Sequence, residues 1–326
     1  MQVDLAGSPA LEGSPMPAVS HQIALKRSNG SACWWLLAPL ERQDLLAYVL
    51  LFPSLLFLGV FVGYPFLFGV WLSLSNKLVG HEGSFVGLAN FLANWESSIF
   101  RQTVRNTLLY TVIATILRLV FGMALALLMN CHFRLKNIAR AALLLPWIVP
   151  TALSTLAWIW IFDDRYGIVN WLIVHWGIAK RGPIWLGDPT LAMMAIIAVN
   201  VWRGIPFFGI TILAALQSVP EELYEAAAID GADRLRRFRH VTLPSIMPVV
   251  VIVLLLNVIW TFSDFQVVHV LTRGGPANST HVFSTLAYQV GMGAGRIGVG
   301  ASIALSMFPV LAVVVLVVLI RMGRRD

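Results

Sequence analysis

Charge is scarce in this chain. Asp, Glu, Lys and Arg together make up 12% of its 326 residues, about half of the roughly 25% that a soluble domain carries. So little charge cannot cover a water-facing surface. With 58% hydrophobic residues and a mean hydropathy of +0.78, lipid must solvate much of the molecule. Cysteine is nearly absent. Cys33 and Cys131 stand outside any CxxC or Cys/His ligand spacing, so neither a disulfide framework nor a metal site is expected. The histidines form no His-x-x-x-His pair and no nucleophile motif is present, so no catalytic residue is assigned. Lysine is rare as well. None of the four precedes Ser or Thr, and no Gly-x-x-x-x-Gly-Lys-[Ser/Thr] occurs, so the chain has no P-loop to cradle ATP.

What is present is long apolar runs separated by short basic loops. Crossing about 30 Å of hydrocarbon takes about 20 apolar residues. Six runs qualify, near 47–75, 107–129, 141–162, 191–216, 246–271 and 299–320. The expected fold is therefore all-α and polytopic, with about six transmembrane helices. The net charge of +7 and pI of about 9.8 reflect Arg clustered in the loops, which points to the positive-inside rule and not to nucleic acid. Lys26, Arg27, Arg42, Arg134, Lys136, Arg140, Arg234, Arg236, Arg237, Arg239, Arg321, Arg324 and Arg325 fall on one side, thirteen against eight on the other. That side is expected to be cytoplasmic, with both termini on it and an even number of spans. Residues 1–44 read as a disordered cytoplasmic tail rich in Ala, Ser, Pro and Gly, without the basic start and adjacent apolar core of a cleaved signal peptide. Residues 45–326 form the transmembrane domain. Pro53, Pro65, Pro146, Pro150, Pro206 and Pro309 lie in or at the ends of spans, either as functional kinks or as prolines that neighbouring helices accommodate.

The loop at about 218–244 carries the strongest pattern. Pro220 suits a helix start, and Glu221, Glu222 and Glu225 suit the positive end of the helix dipole. Ala226, Ala227 and Ala228 are strong helix formers with little bulk, and Gly231 can close the helix with positive φ. A basic helical stretch follows, which Leu243-Pro244 is expected to stop before the fifth span. A short helix with so little to bury against itself suits a groove of another protein; the plainer reading is a linker between two spans.

This loop resembles the EAA motif of permease subunits of binding-protein-dependent ABC importers: Glu-Ala-Ala, three residues, Gly, nine residues, Ile, one residue, Leu-Pro. Glu225, Ala226, Ala227, Gly231, Leu243 and Pro244 hold the matching positions, and Val241 stands where the family usually has Ile. Phe85 to Phe91, Asn106-Thr107, Leu145 to Pro150, Tyr166 to Asn170 and Leu271 to Pro276 extend the likeness to sugar-type permeases of the maltose, trehalose and glycerol-phosphate group. At Arg273 members often have a small or polar residue, and the large outer-domain insertion of some maltose-type members is absent. The resemblance implies a type I ABC importer permease fold in a bacterial inner membrane. It implies pairing with a second permease, usually a different gene product, and docking of two ATPase subunits on the EAA loop. It also implies an extracytoplasmic solute-binding protein and a sugar or related polyol or glycerol-phosphate as solute. No cofactor is expected on this chain; ATP and Mg belong to the ATPase subunits.

Polar groups inside spans are costly and mark function by default. Asn257, Thr261 and Asp264 are spaced i, i+4, i+7 on one face of the fifth span. Asn200, Arg203, Gly204 and Phe207 form a similar stripe on the fourth. Asn200, Gly204, Phe207, Asn257 and Thr261 are the candidate substrate path, with Phe207 stacking on a sugar face and the amides and hydroxyls bonding its hydroxyls. The same residues could instead only join neighbouring helices or the partner permease. Arg203 and Asp264 are candidates for a neutralising charge pair, with Arg118 as the other partner for Asp264. Asp163, Asp164 and Asp188 belong to an outer loop. The rival class is an ion-coupled secondary transporter complete in one chain; such proteins usually carry internal repeats, and none is evident here.

Overall fold

The computed structural model describes residues 43–131 and 134–323, which divide into two units at the boundary between Val62 and Gly63. The expected tail lies outside the described residues up to position 42, as does Cys33. In the first unit, helix α1 (Gln43–Leu58) begins at Gln43 and keeps Pro53 inside it. Its described side chains are all exposed, as an apolar helix needs when lipid is its solvent.

The second unit is helical; among the described residues the sole β-pairing is an isolated bridge between Ser75 and Phe85. Its elements are α2 (Tyr64–Ser73), α3 (Ala89–Glu96), α4 (Ser98–Asn130), α5 (Lys136–Ile148), α6 (Thr151–Ile161), α7 (Ile168–His175) and α8 (Pro189–Gln217). Then come α9 (Glu221–Ile229), α10 (Arg234–Arg237), α11 (Leu243–Phe262), α12 (Gln266–Leu271), α13 (Phe283–Tyr288), α14 (Ile297–Leu305) and α15 (Met307–Gly323). Among the described residues, five helical segments are long and apolar enough to cross a membrane: Ala47–Ser73, Ser98–Asn130, Pro189–Gln217, Arg234–Phe262 and Ile297–Ile320. A sixth exists only if α5 and α6 count as one span, and they meet at 92°.

The third span, expected over about 141–162 with Pro146 and Pro150 in or at the ends of spans, is thus a bent pair of helices. Val149, which precedes Pro150, sits at φ −63°, ψ 131°, because the proline ring disfavours the helical region for the residue before it. The fifth span also differs. It ends at Phe262, and after a short break α12 starts at Gln266. At its other end the helix runs unbroken from Arg234, so Leu243-Pro244 does not stop it. A π-helical turn over Phe238–Thr242 widens the coil just before Pro244, with the Leu243 N–H reaching the Phe238 carbonyl. The wider turn accommodates a ring that would clash with the carbonyl four residues back.

Helix α4 is the hub. It starts at Ser97, whose hydroxyl accepts from the Phe100 N–H, and its most extensive packing is against α8. Asp188 caps α8, accepting from the Thr190 and Leu191 N–H groups at 2.9 Å each, with Pro189 in the first turn, where no N–H is needed. Close approach of α4 and α8 depends on Gly122, where a Cβ would overlap Phe208. Helix α11 packs on both. Buried Tyr110, Ala114, Ile196 and Val199 form one core cluster of this assembly, and Ala126, Phe208, Ile212 and Val250 another.

Three asparagines of the family-like segments tie the connecting loops to the helices. Asn90 donates to the Ser73 and Ser75 carbonyls at 2.9 and 2.8 Å. Asn106 donates to the Ser279 and His281 carbonyls at 2.7 and 3.2 Å. Asn170 donates to Asp164 and Pro183 and accepts from the Trp185 indole at 2.8 Å. Each satisfies backbone carbonyls that irregular chain would otherwise leave unpaired.

Candidate functional site

The loop between α8 and α11 folds as its residues dictate. Pro220 occupies the cap position of α9 and Glu221 and Glu222 its first turn. The helix closes in a Schellman motif: Ala232 N–H bonds the Ala227 carbonyl at 2.9 Å and Gly231 N–H the Ala228 carbonyl at 3.1 Å. Gly231 sits at φ +77° with open space around it, so its backbone angle, not crowding, calls for glycine. Asp233 caps the next segment, accepting from the Arg236 N–H at 2.8 Å. Tyr224 fastens α9 to the π-helical turn through the Thr242 hydroxyl at 3.1 Å. Nothing in α9 is buried. Glu225 and Ala226 are exposed, and so are Ile229 at 87% and Leu235 at 73%. Leu243 is half-buried and Pro244 exposed at the base of α11.

The polar residues of α8 and α11 converge inside the bundle. One cavity of about 60 Å³ is lined by Arg118, Trp147, Asn200, Arg203, Gly204, Phe207, Asn257, Trp260, Thr261 and Asp264. All five residues expected along a substrate path are therefore neighbours in space. Phe207 stacks on Trp147 with centroids 6.0 Å apart and meets Trp260 edge-on at 5.1 Å, so three aromatic rings form one wall.

Arg118 organises this cluster, although the sequence marked it only as a charge within a span and an alternative partner for Asp264. It is 5% exposed. From α4 its Nε and Nη2 both donate to the Asn200 backbone carbonyl, at 3.1 and 2.5 Å. Its Nη1 donates to Asn257 Oδ1 and, at 3.1 Å, to the Thr261 hydroxyl. Asn257 in turn donates to Thr115 Oγ1 at 2.9 Å. Gly204 leaves the room for this: a Cβ there would overlap the guanidinium. Asn200 Oδ1 is buried without a hydrogen-bond partner.

Arg203 and Asp264 line the same cavity but have other partners. Asp264 Oδ2 accepts from the Tyr110 hydroxyl at 2.6 Å and from Asn200 Nδ2 at 2.9 Å. Arg203 donates to the Thr151 hydroxyl at the start of α6. Asp264 is thus held by neutral donors from α4 and α8, which explains why the expected direct pair with Arg203 or Arg118 is not among the hydrogen bonds of the described residues. Tyr110, Thr115, Trp147 and Trp260 join the site unannounced by the sequence. Only intramembrane position could have flagged the first two, and tryptophan is too common in this chain to single out the others.

In the loop after α6, Asp163 accepts from the Arg165 and Tyr166 N–H groups at 3.0 and 2.8 Å. The Tyr166 bond first, then the Arg165 bond, hold its carboxyl below the ordinary value.

Residues 118–323 match the family model described as the binding-protein-dependent transport system inner membrane component. The chain is 34% identical over 284 residues to the trehalose/maltose transport system permease protein MalF of Thermococcus litoralis, covering 87% of this chain and 95% of that one. It is 35% identical over 266 residues to the sulfoquinovosyl glycerol transport system permease protein SmoG of Agrobacterium fabrum, covering 81% and 86%. In fold it is similar, with a TM-score of 0.75 and 23% identity, to a chain in the crystal structure of a bacterial ABC transporter involved in the import of the acidic polysaccharide alginate, over 90% of this chain and 98% of that one. With its helical spans, its polar cavity and these relatives, the chain belongs to the inner membrane components of binding-protein-dependent transport systems, and is a transport permease, not an enzyme.

Proposed function

We propose that this permease carries a carbohydrate, a di- or oligosaccharide or a related polyol or glycerol-phosphate, and forms half of the translocation path of its importer. One observation carries the reading: the two helices joined by the exposed EAA-like loop, α8 and α11, are those whose polar residues meet at one cavity. The aromatic wall of Trp147, Phe207 and Trp260 offers faces for sugar C–H groups, and the free Asn200 Oδ1 an acceptor for a hydroxyl. The names of the relatives, which concern trehalose, maltose and sulfoquinovosyl glycerol, support a saccharide solute.

Helix α9 is the coupling element. Its bare Glu225, Ala226 and Ile229 face seats in a groove of an ATPase subunit, with Gly231 fixing the turn that follows and Leu243-Pro244 the root of α11. Two ATPase subunits supply ATP and Mg chemistry, a second and different permease completes the path, and an extracytoplasmic binding protein delivers solute. The chain lies in the bacterial inner membrane with both termini in the cytoplasm.

The test is uptake by the assembled complex carrying Asn257→Ala. Loss of uptake with unchanged assembly is expected; wild-type uptake overturns the path. For the loop, Glu225→Ala combined with Gly231→Ala is expected to lose co-purifying ATPase. Full recovery of a stimulated ATPase would remove the coupling role.

A further inference from the structure

The residues assigned to the solute path are not free in this conformation. The cavity measures about 60 Å³, room for water rather than for a saccharide, since ligand pockets run to about 300–1,000 Å³. What fills the space is Arg118. Its guanidinium sits on the Asn200 carbonyl, the Asn257 amide oxygen and the Thr261 hydroxyl. These are acceptors on the two path helices, and a planar fork of N–H donors meets them as a sugar's hydroxyls would.

We propose that Arg118 is a latch that stands in for the solute: it holds Asn257 and Thr261 closed against α4, and the path opens only when it lets them go. The proposal rests on the reading of α8 and α11 as the solute path. Three features support it. First, the latch joins α4, α8 and α11, so releasing it loosens all three at one point. Second, Gly204 is emptied of a side chain where the guanidinium lies, so the position is built and not adventitious. Third, a released Arg118 has a destination. Asp264 lines the same cavity, its carboxylate held here by the neutral donors Tyr110 and Asn200. Moving onto Asp264 gives the cation an anionic partner while Asn257 Oδ1 and Thr261 Oγ1 turn to the solute. Arg118 is thus a positioning residue that sets when the path accepts solute.

The experiment uses the whole complex, both permeases and both ATPases, in liposomes, with ATP hydrolysis measured without solute or binding protein. Arg118→Met keeps the apolar stem and removes the fork. It is expected to raise the solute-independent rate by roughly five- to ten-fold, because the closed arrangement loses its charged hydrogen bonds, and to lower the ratio of stimulated to basal rate. Arg118→Lys, with one ammonium in place of the fork, is expected to restore part of that ratio. A merely structural role would lower yield and leave the ratio alone. If Arg118→Met does not assemble, the same two rates in Arg118→Lys decide: unchanged rates overturn the latch. Asn257→Ala separates the two readings through uptake of labelled maltose and trehalose. Uptake lost there with wild-type basal rates in Arg118→Met keeps the path and removes the latch. Uptake retained there removes the path and the latch with it.

Discussion

At the scale of single residues, two positions define what the structure adds. Gly204 reads in the sequence as one more small residue on a polar stripe; in the fold it is the gap that admits Arg118. Gly204→Ala is expected to cost about 1–3 kcal/mol through overpacking, seen as a lower thermal midpoint of the purified permease. Adding Arg118→Ala removes the clash, so the double variant is expected to be less impaired than the sum of the singles. His281 is the second position. Buried beside Gly274, it bonds the Thr285 hydroxyl at 3.1 Å and Asn278 Oδ1 at 3.3 Å. Burial depresses its affinity for a proton below the ordinary value of 6.5, with the charge of His269 adding to this and a Gln289 bond opposing it. The unfolded chain therefore takes up a proton that the fold resists. Stability present above pH 6.5 falls as pH drops through that value toward the depressed one. Thermal midpoints taken between about pH 7.5 and 5.5 are expected to fall for the wild type and to flatten in His281→Gln. Arg118 could be seen in the sequence as a lone charge in an apolar run. Its partners could not, since they lie 82 to 143 residues away and depend on how helices pack.

At the scale of elements, the EAA-like loop was the most legible part. Pro220, the glutamates, the alanines and Gly231 each act locally, so a single sequence suffices to place the helix and its end. Gly231→Ala must adopt a left-handed backbone at a cost of about 1–2 kcal/mol, whereas Gly231→Asn tolerates it better. ATPase recovery in pull-down is expected to drop for Ala and to be largely kept for Asn. Equal recovery would show that the turn geometry does not matter. Boundaries set by proline were less legible because a proline has two outcomes. Pro150 breaks its helix into two arms, whereas Pro244 is absorbed by a π-helical turn and the helix continues. The difference lies in the backbone before the ring, extended at Val149 and helical at Leu243, which composition does not state.

At the scale of the whole molecule, membrane class followed from scarce charge and long apolar runs, properties summed over the chain and insensitive to detail. The inward bias of Arg and Lys makes a further statement testable. In a background with Cys33→Ser and Cys131→Ser, a cysteine placed at exposed Arg236 is expected to react with a membrane-impermeant thiol reagent only in inside-out vesicles. Labelling in intact cells would invert the topology. The unbroken helix from Arg234 to Phe262 has one more consequence. It is a lever whose handle is in the EAA-like loop and whose far end carries Asn257 and Thr261. From Arg234 to Asn257, 23 residues on, at about 1.5 Å each it spans about 35 Å, so a tilt of about 5° at the handle sweeps Asn257 through roughly 3 Å. That stroke is about the length of a hydrogen bond, so a modest nudge from a nucleotide-driven partner suffices to pull both side chains out of reach of a guanidinium anchored on another helix.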